Sequence, residues 1–519
     1  MLNLAPETIA LIKGLRKDIT TSGISSGTGL DFYYLEPQAK NIYPVFYPIL
    51  ASTPRVNPMF NGMKVGGQAV NWKAVVGIDA NGYPGLSEGN RNAFMNITTR
   101  NYSSNFKMLG KDIQTSFFAQ QTGLGFDDMV GLAQFSMMNA LLNDEERMML
   151  FGNDGPSTVG GNGYALGTTN TPVLTQSNVA GSSVAASAQN YVFAVALTPW
   201  GVSMSGATGI VAPYLRTNAD GSQDTINGGT GIISLVSNSV VTDASHLSIT
   251  VTIPYSVGAA GYAIFLNQLA NTTSGAYFCG VSSTPVFTIT TTPASTNQQA
   301  NYTNPTTSKG FTADYSWNLL DFPGILTYHF GTFGASQPAY LKDLGGSGFT
   351  SNGDGTIAEF EACADYLWLN YKVSIDAIRC GGALIHAISR AALTSNAGNT
   401  GNQRLIIERT SDGQVTGGQL LTQYNWKYSN NGLPKQVPVT THPWLPNGVV
   451  LFDIFTNPYP AAGDTIPAVR RIVSLEDHFG LKWPYRKLQH ELGVYCFETQ
   501  EHYLPFAGGV LTGCNNSVN

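Results

Sequence analysis

The sequence predicts an α+β chain in which one long helix, one long β-ribbon and an all-β block are set into a mixed α/β body. Three observations carry that prediction. Residues 126–154, FDDMVGLAQFSMMNALLNDEERMMLFGND, are the most regular stretch of the chain and read as a single helix. Just before them, QAVNWKAVVGI (68–78) and FMNITTRNYSSNF (94–106) are strand-like runs separated by the turn chemistry of DANGYPGLSEGNRN. From about 172 to 290, short apolar strands alternate with Gly, Ser and Asn turns at sandwich spacing.

Composition narrows the function classes. Across 519 residues, 43% are hydrophobic and 11% aromatic, enough to bury a core and exclude a disordered chain. Charged residues make up 12%, about half the usual share, so Asn, Ser, Thr, Gln and Gly must cover most of the surface. Such a surface suits contact with copies of the same chain. A net charge of −6 gives no basic footprint for nucleic acid, which leaves at most weak contact with it. The five cysteines form no CxxC and predict reduced thiols in a cytosolic setting.

The elements follow in order. MLNLAPETIALIKGLRKDI is no signal peptide, because Pro6 and Glu7 break the apolar run and the basic residues follow it. Ile12, Leu15 and Ile19 predict a short amphipathic helix instead. Residues 20–60 are a connector that Pro37, Pro44, Pro48, Pro54 and Pro58 should hold extended. In the ribbon, Val70, Trp72, Ala74 and Val76 share one face. Eleven residues at ~3.3 Å each reach roughly 36 Å. A two-stranded ribbon that long must rest on something, and a neighbouring subunit is the expected support.

In the long helix, Asp127 or Asp128 is the expected N-cap, and Gly152 with Asn153 the stop. Ala133, Met137, Ala140 and Leu141 should face the core, while Asn143, Asp144, Glu145 and Glu146 should face solvent. The all-β block offers NYVFAVALTP, GIISLVS, HLSITVTIP, GYAIFLN, YFCGV and VFTITT as strands. A polar strap, 291–310, then leads out. After Phe311 helices are expected near 356–370 and 382–392, and strands near 403–409, 449–455 and 492–498.

Catalytic patterns are nearly missing. GISSG (23–27) fits G-x-S-x-G, but it lies in a Gly/Ser connector without the strand and helix a nucleophile elbow needs. His490-Glu491 has Val494 where H-E-x-x-H demands a second His. TSNGDGTIAEFE (350–361) puts Asn352, Asp354 and Glu361 at ligand positions of a calcium loop, yet Thr350 replaces the leading Asp. A capping box with Thr356 as N-cap and Glu359 at N3 is the plainer reading. No catalytic residue and no cofactor is predicted. Glu145 and Glu146 have no second carboxylate in sequence placed to work with them.

The order of arm, hairpin, long helix and mixed α/β body resembles the Hong Kong 97-type major capsid proteins of tailed bacteriophages. LGTTNTP, THPWLPNGVVLFDIF and WPYRKLQHELGVYCFETQEHYLPFAGGVLTG look like phrases of that family. GAAGYAIFLN makes the β block similar to an immunoglobulin or fibronectin type III module. The resemblance implies an N-terminal arm (1–60), an extended hairpin loop (61–112), a spine helix with the start of a peripheral domain (113–171), an inserted β-sandwich (172–303), and an axial domain with the rest of the peripheral domain (304–519). It implies a non-enzymatic subunit that assembles with itself into the hexamers and pentamers of an icosahedral head around double-stranded DNA. Scaffolding, portal and decoration proteins would be its partners, without a membrane, in a virion built in the bacterial cytoplasm. Ribbon residues Trp72, Val76, Tyr83, Pro84 and Ile97 are the expected assembly interface. The alternative is a surface adhesin or glycan-binding protein that uses the β block.

Overall fold

The computed structural model describes residues 45–515, except 58, 61–62, 65–66, 79–84, 86, 92–93, 95, 124–127, 187, 332–338, 394–407, 410–414, 417–419, 430–432, 458–466, 474–476 and 486. The expected N-terminal helix, most of the connector, GISSG, and Tyr83 and Pro84 of the ribbon turn lie outside the described residues. The chain is α+β, with a few helices among many strands.

The long helix runs Met129–Phe151, within three residues of the sequence expectation at either end. The Asp128 carboxylate caps it by accepting from the Val130 amide, and Gly152 ends it with an N–H to Met148 O. It packs on a five-stranded sheet whose centre is the 14-residue strand Gln489–His502. Lys107–Ser116 pairs antiparallel along one side of that strand, from Gln489↔Ser116 to Glu498↔Lys107. Phe479–Lys482 and Val469–Val473 pair along the other side. Arg55–Val56 adds to Val469–Val473 in parallel.

The connector is not extended throughout. Pro48–Ser52 is a helical turn with Ile49 and Leu50 buried. The proline that should prevent helix sits at its first position, where the fixed φ suits a helix and no amide hydrogen is missed.

A six-stranded sheet forms the second part of the body. Its order is Tyr340–Asp343, Gly509–Thr512, Val450–Asp453, Ala377–Cys380, Lys435–Thr441, Gln423–Trp426. Helices Ala358–Tyr371 and Leu384–Leu393 close over it around Phe360, Leu367, Ile388, Trp426 and Phe452. The capping box does not form, because Ile357 is the N-cap and no side chain caps the helix. Ile357 is drawn into the core, and the Thr356 hydroxyl is taken up by Asp354 Oδ1 at 2.6 Å. The strand expected at 403–409 is described only at Glu408–Arg409, paired with Val415–Thr416.

Between the two halves, residues 173–289 build two larger antiparallel sheets, beside the small antiparallel pair Tyr214–Thr217 and Gln223–Ile226. One has the order Val240–Val241, Gln189–Leu197, Gly261–Asn267, Tyr277–Ser282, and the other Val286–Ile289, Ser248–Thr252, Val173–Ser177. Val192, Ala194, Ile264 and Leu266 of the first meet Leu174, Ile249, Val251 and Ile289 of the second. GIISLVS is not a regular strand. It runs beside Gln189–Leu197, but Ser234 and Ser237 accept the Ala194 and Val192 amides with their hydroxyls, which replaces a ladder. The strap packs back on the block: Ala300, and Phe311 just after the strap, are buried with Phe193, Val195, Phe265 and Phe278 of the four-stranded sheet.

This block also shares a core with the body, where Phe151, Tyr164, Leu166 and Phe322 are continuous with its inner face. Asn153 fastens its two ends. The amide of that side chain donates to Tyr164 O on the way in and to Ser316 O on the way out, both at 3.0 Å.

Candidate functional site

The ribbon forms as the alternation required. Among the described residues, Ala69–Ile78 and Ile97–Asn105 pair only with each other, from Ala69↔Asn105 to Ile78↔Ile97. Ten residues at ~3.4 Å give an arm of roughly 34 Å. Its base is fixed. Phe106 alone separates Ile97–Asn105 from Lys107–Ser116 of the five-stranded sheet, and Ser104 Oγ meets Thr499 Oγ1 at 2.7 Å.

Trp72 belongs to that base and not to an outward interface. It is 7% exposed and packs with Tyr328, Tyr102 and Tyr503, the last two with ring centroids at 5.9 and 6.4 Å. A side chain so large lands on the body because position 72 lies near the body end of the strand. Val76 sits where the pairing register shifts between Val75 and Gly77, a bulge that bends the arm. Around and beyond it, three large apolar side chains stand open among polar ones: Ile97 is 59% exposed, Val75 61% and Phe94 96%.

Beneath the long helix lies a group the sequence reading placed in solvent. Asn143, Glu145 and Glu146 are buried; Asp144 is partly exposed and pairs with Lys111 at 2.6 Å. The sheet strands cover one side of the helix and the turn Pro48–Ser52 another, which takes Asn143, Glu145 and Glu146 out of solvent and leaves Asp144 at the edge.

Glu146 joins three segments. Oε1 accepts from the Ile49 amide at 2.9 Å and lies 2.8 Å from His442 Nε2, and Oε2 accepts from the Leu50 amide at 2.7 Å. These two amides are among the unsatisfied donors of the helical turn's N-terminus, where a carboxylate is favoured.

Glu145 pairs with Arg471 and, through Oε2, with His478 Nε2 at 2.8 Å. Arg471 Nη1 also reaches Glu498 Oε2 at 3.3 Å, and its amide donates to Pro54 O. His478 Nδ1 lies 3.0 Å from Asp477, which in turn pairs with Arg55. Burial, and then the charge of Glu145, push the Glu498 carboxyl far above the usual carboxylate range. Burial works against protonated His478, yet its hydrogen bonds to Asp477 and Glu145 carry it to about 9.

A second acidic pair lies where helix, ribbon and β block meet. Burial raises Asp154 to about 6 against the Asn162 amide that it accepts. Burial also raises Asp321 to about 7, helped by the charge of Asp154.

The calcium-loop residues are each engaged locally. Asp354 Oδ1 accepts from Thr356, Asn352 donates to the Thr356 hydroxyl at 2.9 Å, and Glu361 Oε1 accepts from Tyr424 at 2.9 Å.

No family model matches the chain, and no curated protein does. Solved structures do resemble it along nearly all its length. The capsid of Myoviridae Phage XM1 is 8% identical, with 95% of this chain and 99% of that one covered and a TM-score of 0.37. The capsid of Cyanophage P-SCSP1u is 9% identical, with 99% of both chains covered and a TM-score of 0.38. The holo-SrpI encapsulin complex from Synechococcus elongatus PCC 7942 is 9% identical, with 94% of both chains covered and a TM-score of 0.35. The chain is thus similar, end to end and at very low identity, to proteins described as forming capsids and an encapsulin complex.

Proposed function

We propose that this chain is the repeating subunit of a closed shell of the Hong Kong 97 type, the head of a tailed phage around its double-stranded DNA. The ribbon carries the reading. It has two strands of nine and ten residues, paired only with each other among the described residues, anchored at one end by Trp72 and bearing Val75, Phe94 and Ile97 in the open. An isolated ribbon of that size is marginal in water. Its open apolar side chains gain a partner only when the ribbon lies on another copy. Each subunit would then touch several neighbours, so weak contacts add up to a stable shell.

On this reading Val76, Tyr83, Pro84 and Ile97 contribute to the interface, and 172–303 is an immunoglobulin-like insertion reached through the Asn153 clasp. Scaffolding, portal and decoration proteins are partners, packaged DNA makes weak contact with the inner wall, and the role is structural, without catalysis. Expression in bacteria followed by electron microscopy tests it. Native chain should give closed particles, whereas the double variant Val75→Asp/Ile97→Asp should stay folded and form none. Closed particles of normal yield from the double variant would remove the ribbon from assembly.

A further inference from the structure

One group of side chains beneath the long helix does more than close ion pairs. Glu145, His478 and Cys496 each offer a donor atom, and those atoms all lie within 4.8 Å of one another. They come from three places: the long helix, the turn before Phe479–Lys482, and the central strand Gln489–His502. We propose that Glu145, His478 and Cys496 form a site for a divalent transition-metal ion of zinc type, which fastens the helix to the sheet.

The donor set fits that chemistry. Carboxylate, imidazole and thiolate are the ligands zinc takes, at about 2.0–2.3 Å. Ligands around a four-coordinate ion stand roughly 3.3–3.7 Å apart at those bond lengths. Oε2 of Glu145 and Nε2 of His478, now 2.8 Å apart, would part slightly, and Cys496 Sγ would close in. Such shifts are within the reach of χ rotations.

The imidazole is already aimed. Its Nδ1 lies 3.0 Å from Asp477 Oδ1, which leaves Nε2 facing Glu145. A carboxylate behind a histidine is the usual support of a metal-binding imidazole. Glu498 lies two residues from Cys496 on the same strand face and meets Arg471 Nη1 at 3.3 Å, so it stands behind the three donors and is not one of them.

Entry is open, since a groove lined by Met137, Met138, Leu481 and Val494 leads to His478.

The site does not depend on the shell reading, because all its residues belong to one subunit. The test uses the full chain, unassembled or as particles. Its zinc content is measured by mass spectrometry after purification without chelator, and cobalt(II) is titrated into chelated protein as a spectroscopic probe. The expected result is one ion per chain and a thiolate-to-cobalt charge-transfer band. Cys496→Ser should abolish that band and weaken binding by more than the roughly 10–100-fold that losing an outer-shell partner costs. Cys279→Ser, in the β block, should keep both. Native chain that takes up neither zinc nor cobalt, or a band that survives Cys496→Ser, would overturn the assignment. The band of the native chain is decisive even where a variant fails to fold.

Discussion

Replacing Glu146 with Gln should release the helical turn Pro48–Ser52 from the long helix while leaving the helix in place. Glu146 is fully buried, and its two oxygens accept the Ile49 and Leu50 amides at 2.9 and 2.7 Å, with His442 Nε2 at 2.8 Å from Oε1. A hydrogen bond to a charged group contributes about 1.5–3 kcal/mol. Gln keeps one acceptor oxygen and turns an NH2 toward the other donor, so one such bond is lost and one buried amide is left unsatisfied. The expected cost is about 2–4 kcal/mol, concentrated on the turn. At about 1.4 kcal/mol per factor of ten, exchange of the Ile49 and Leu50 amides should accelerate by roughly 30- to 1,000-fold. Hydrogen–deuterium exchange with mass spectrometry on the purified chain reads this directly, and peptides from 137–151 serve as the internal control. Protection of 47–53 unchanged within threefold would refute the reasoning. Equal loss of protection in both regions would show that Glu146 supports the whole chain and not the turn alone.

Trp72→Ala should cost about 3–5 kcal/mol at the ribbon base, read as a lower melting temperature with a matching rise in exchange across 69–78 and 97–105. Asp321→Asn should flatten a pH dependence. The folded-state values of Asp321 and Asp154, about 7 and about 6, stand above the ordinary 3.8, so the folded chain holds protons more tightly. That contribution is full at acid pH and is lost as pH rises through about 6–7. Native chain should therefore lose about 2–3 kcal/mol more than the variant between pH 5 and pH 8, measured by denaturant unfolding at each pH. Equal slopes would show that the pair does not titrate there. Expressed alone, 172–303 should be molten, because it lacks Phe311, Tyr315 and the bonds from Ile232 to Gly167; residues 163–318 should unfold cooperatively in urea. Cooperative unfolding of the shorter piece would show that its own two sheets suffice.

Where local pattern decides structure, the sequence was a good guide. Alternation around Trp72 marks the first ribbon strand and a run of strand-forming residues the second, and the run GYAIFLN is a strand over all seven residues, Gly261–Asn267. The long helix was legible because nothing from Met129 to Phe151 breaks it. Elements that depend on distant partners were harder. Ile325–Phe330 is buried at every position and too short for a period to emerge, and Lys107–Ser116 carries Lys107, Gly110, Lys111 and Asp112, a composition that looks like loop. Only its ten-residue pairing with Gln489–Glu498 makes it a strand.

The buried carboxylates failed for a different reason, and the failure points to a usable signal. Two consecutive glutamates on a helix were read as a solvated face, although their helix neighbours say otherwise. Positions four before and after Glu145 are Leu141 and Met149, and those around Glu146 are Leu142 and Leu150. Side chains at that spacing lie on one ridge, so each glutamate stands in an apolar row. A charge in such a row must be paired or cost several kcal/mol. Its partners could not be read from spacing, because Arg471, His478 and His442 lie some 300 residues further along the chain. In a chain with only 60 charged residues in 519, that arrangement has a clear use. Apolar packing holds segments together at many registers, whereas a carboxylate bonded to two named amides and an imidazole holds them at one. Glu145 and Glu146 therefore fix where the turn Pro48–Ser52, the long helix and the sheet meet, and the ribbon leaves that same sheet through Phe106.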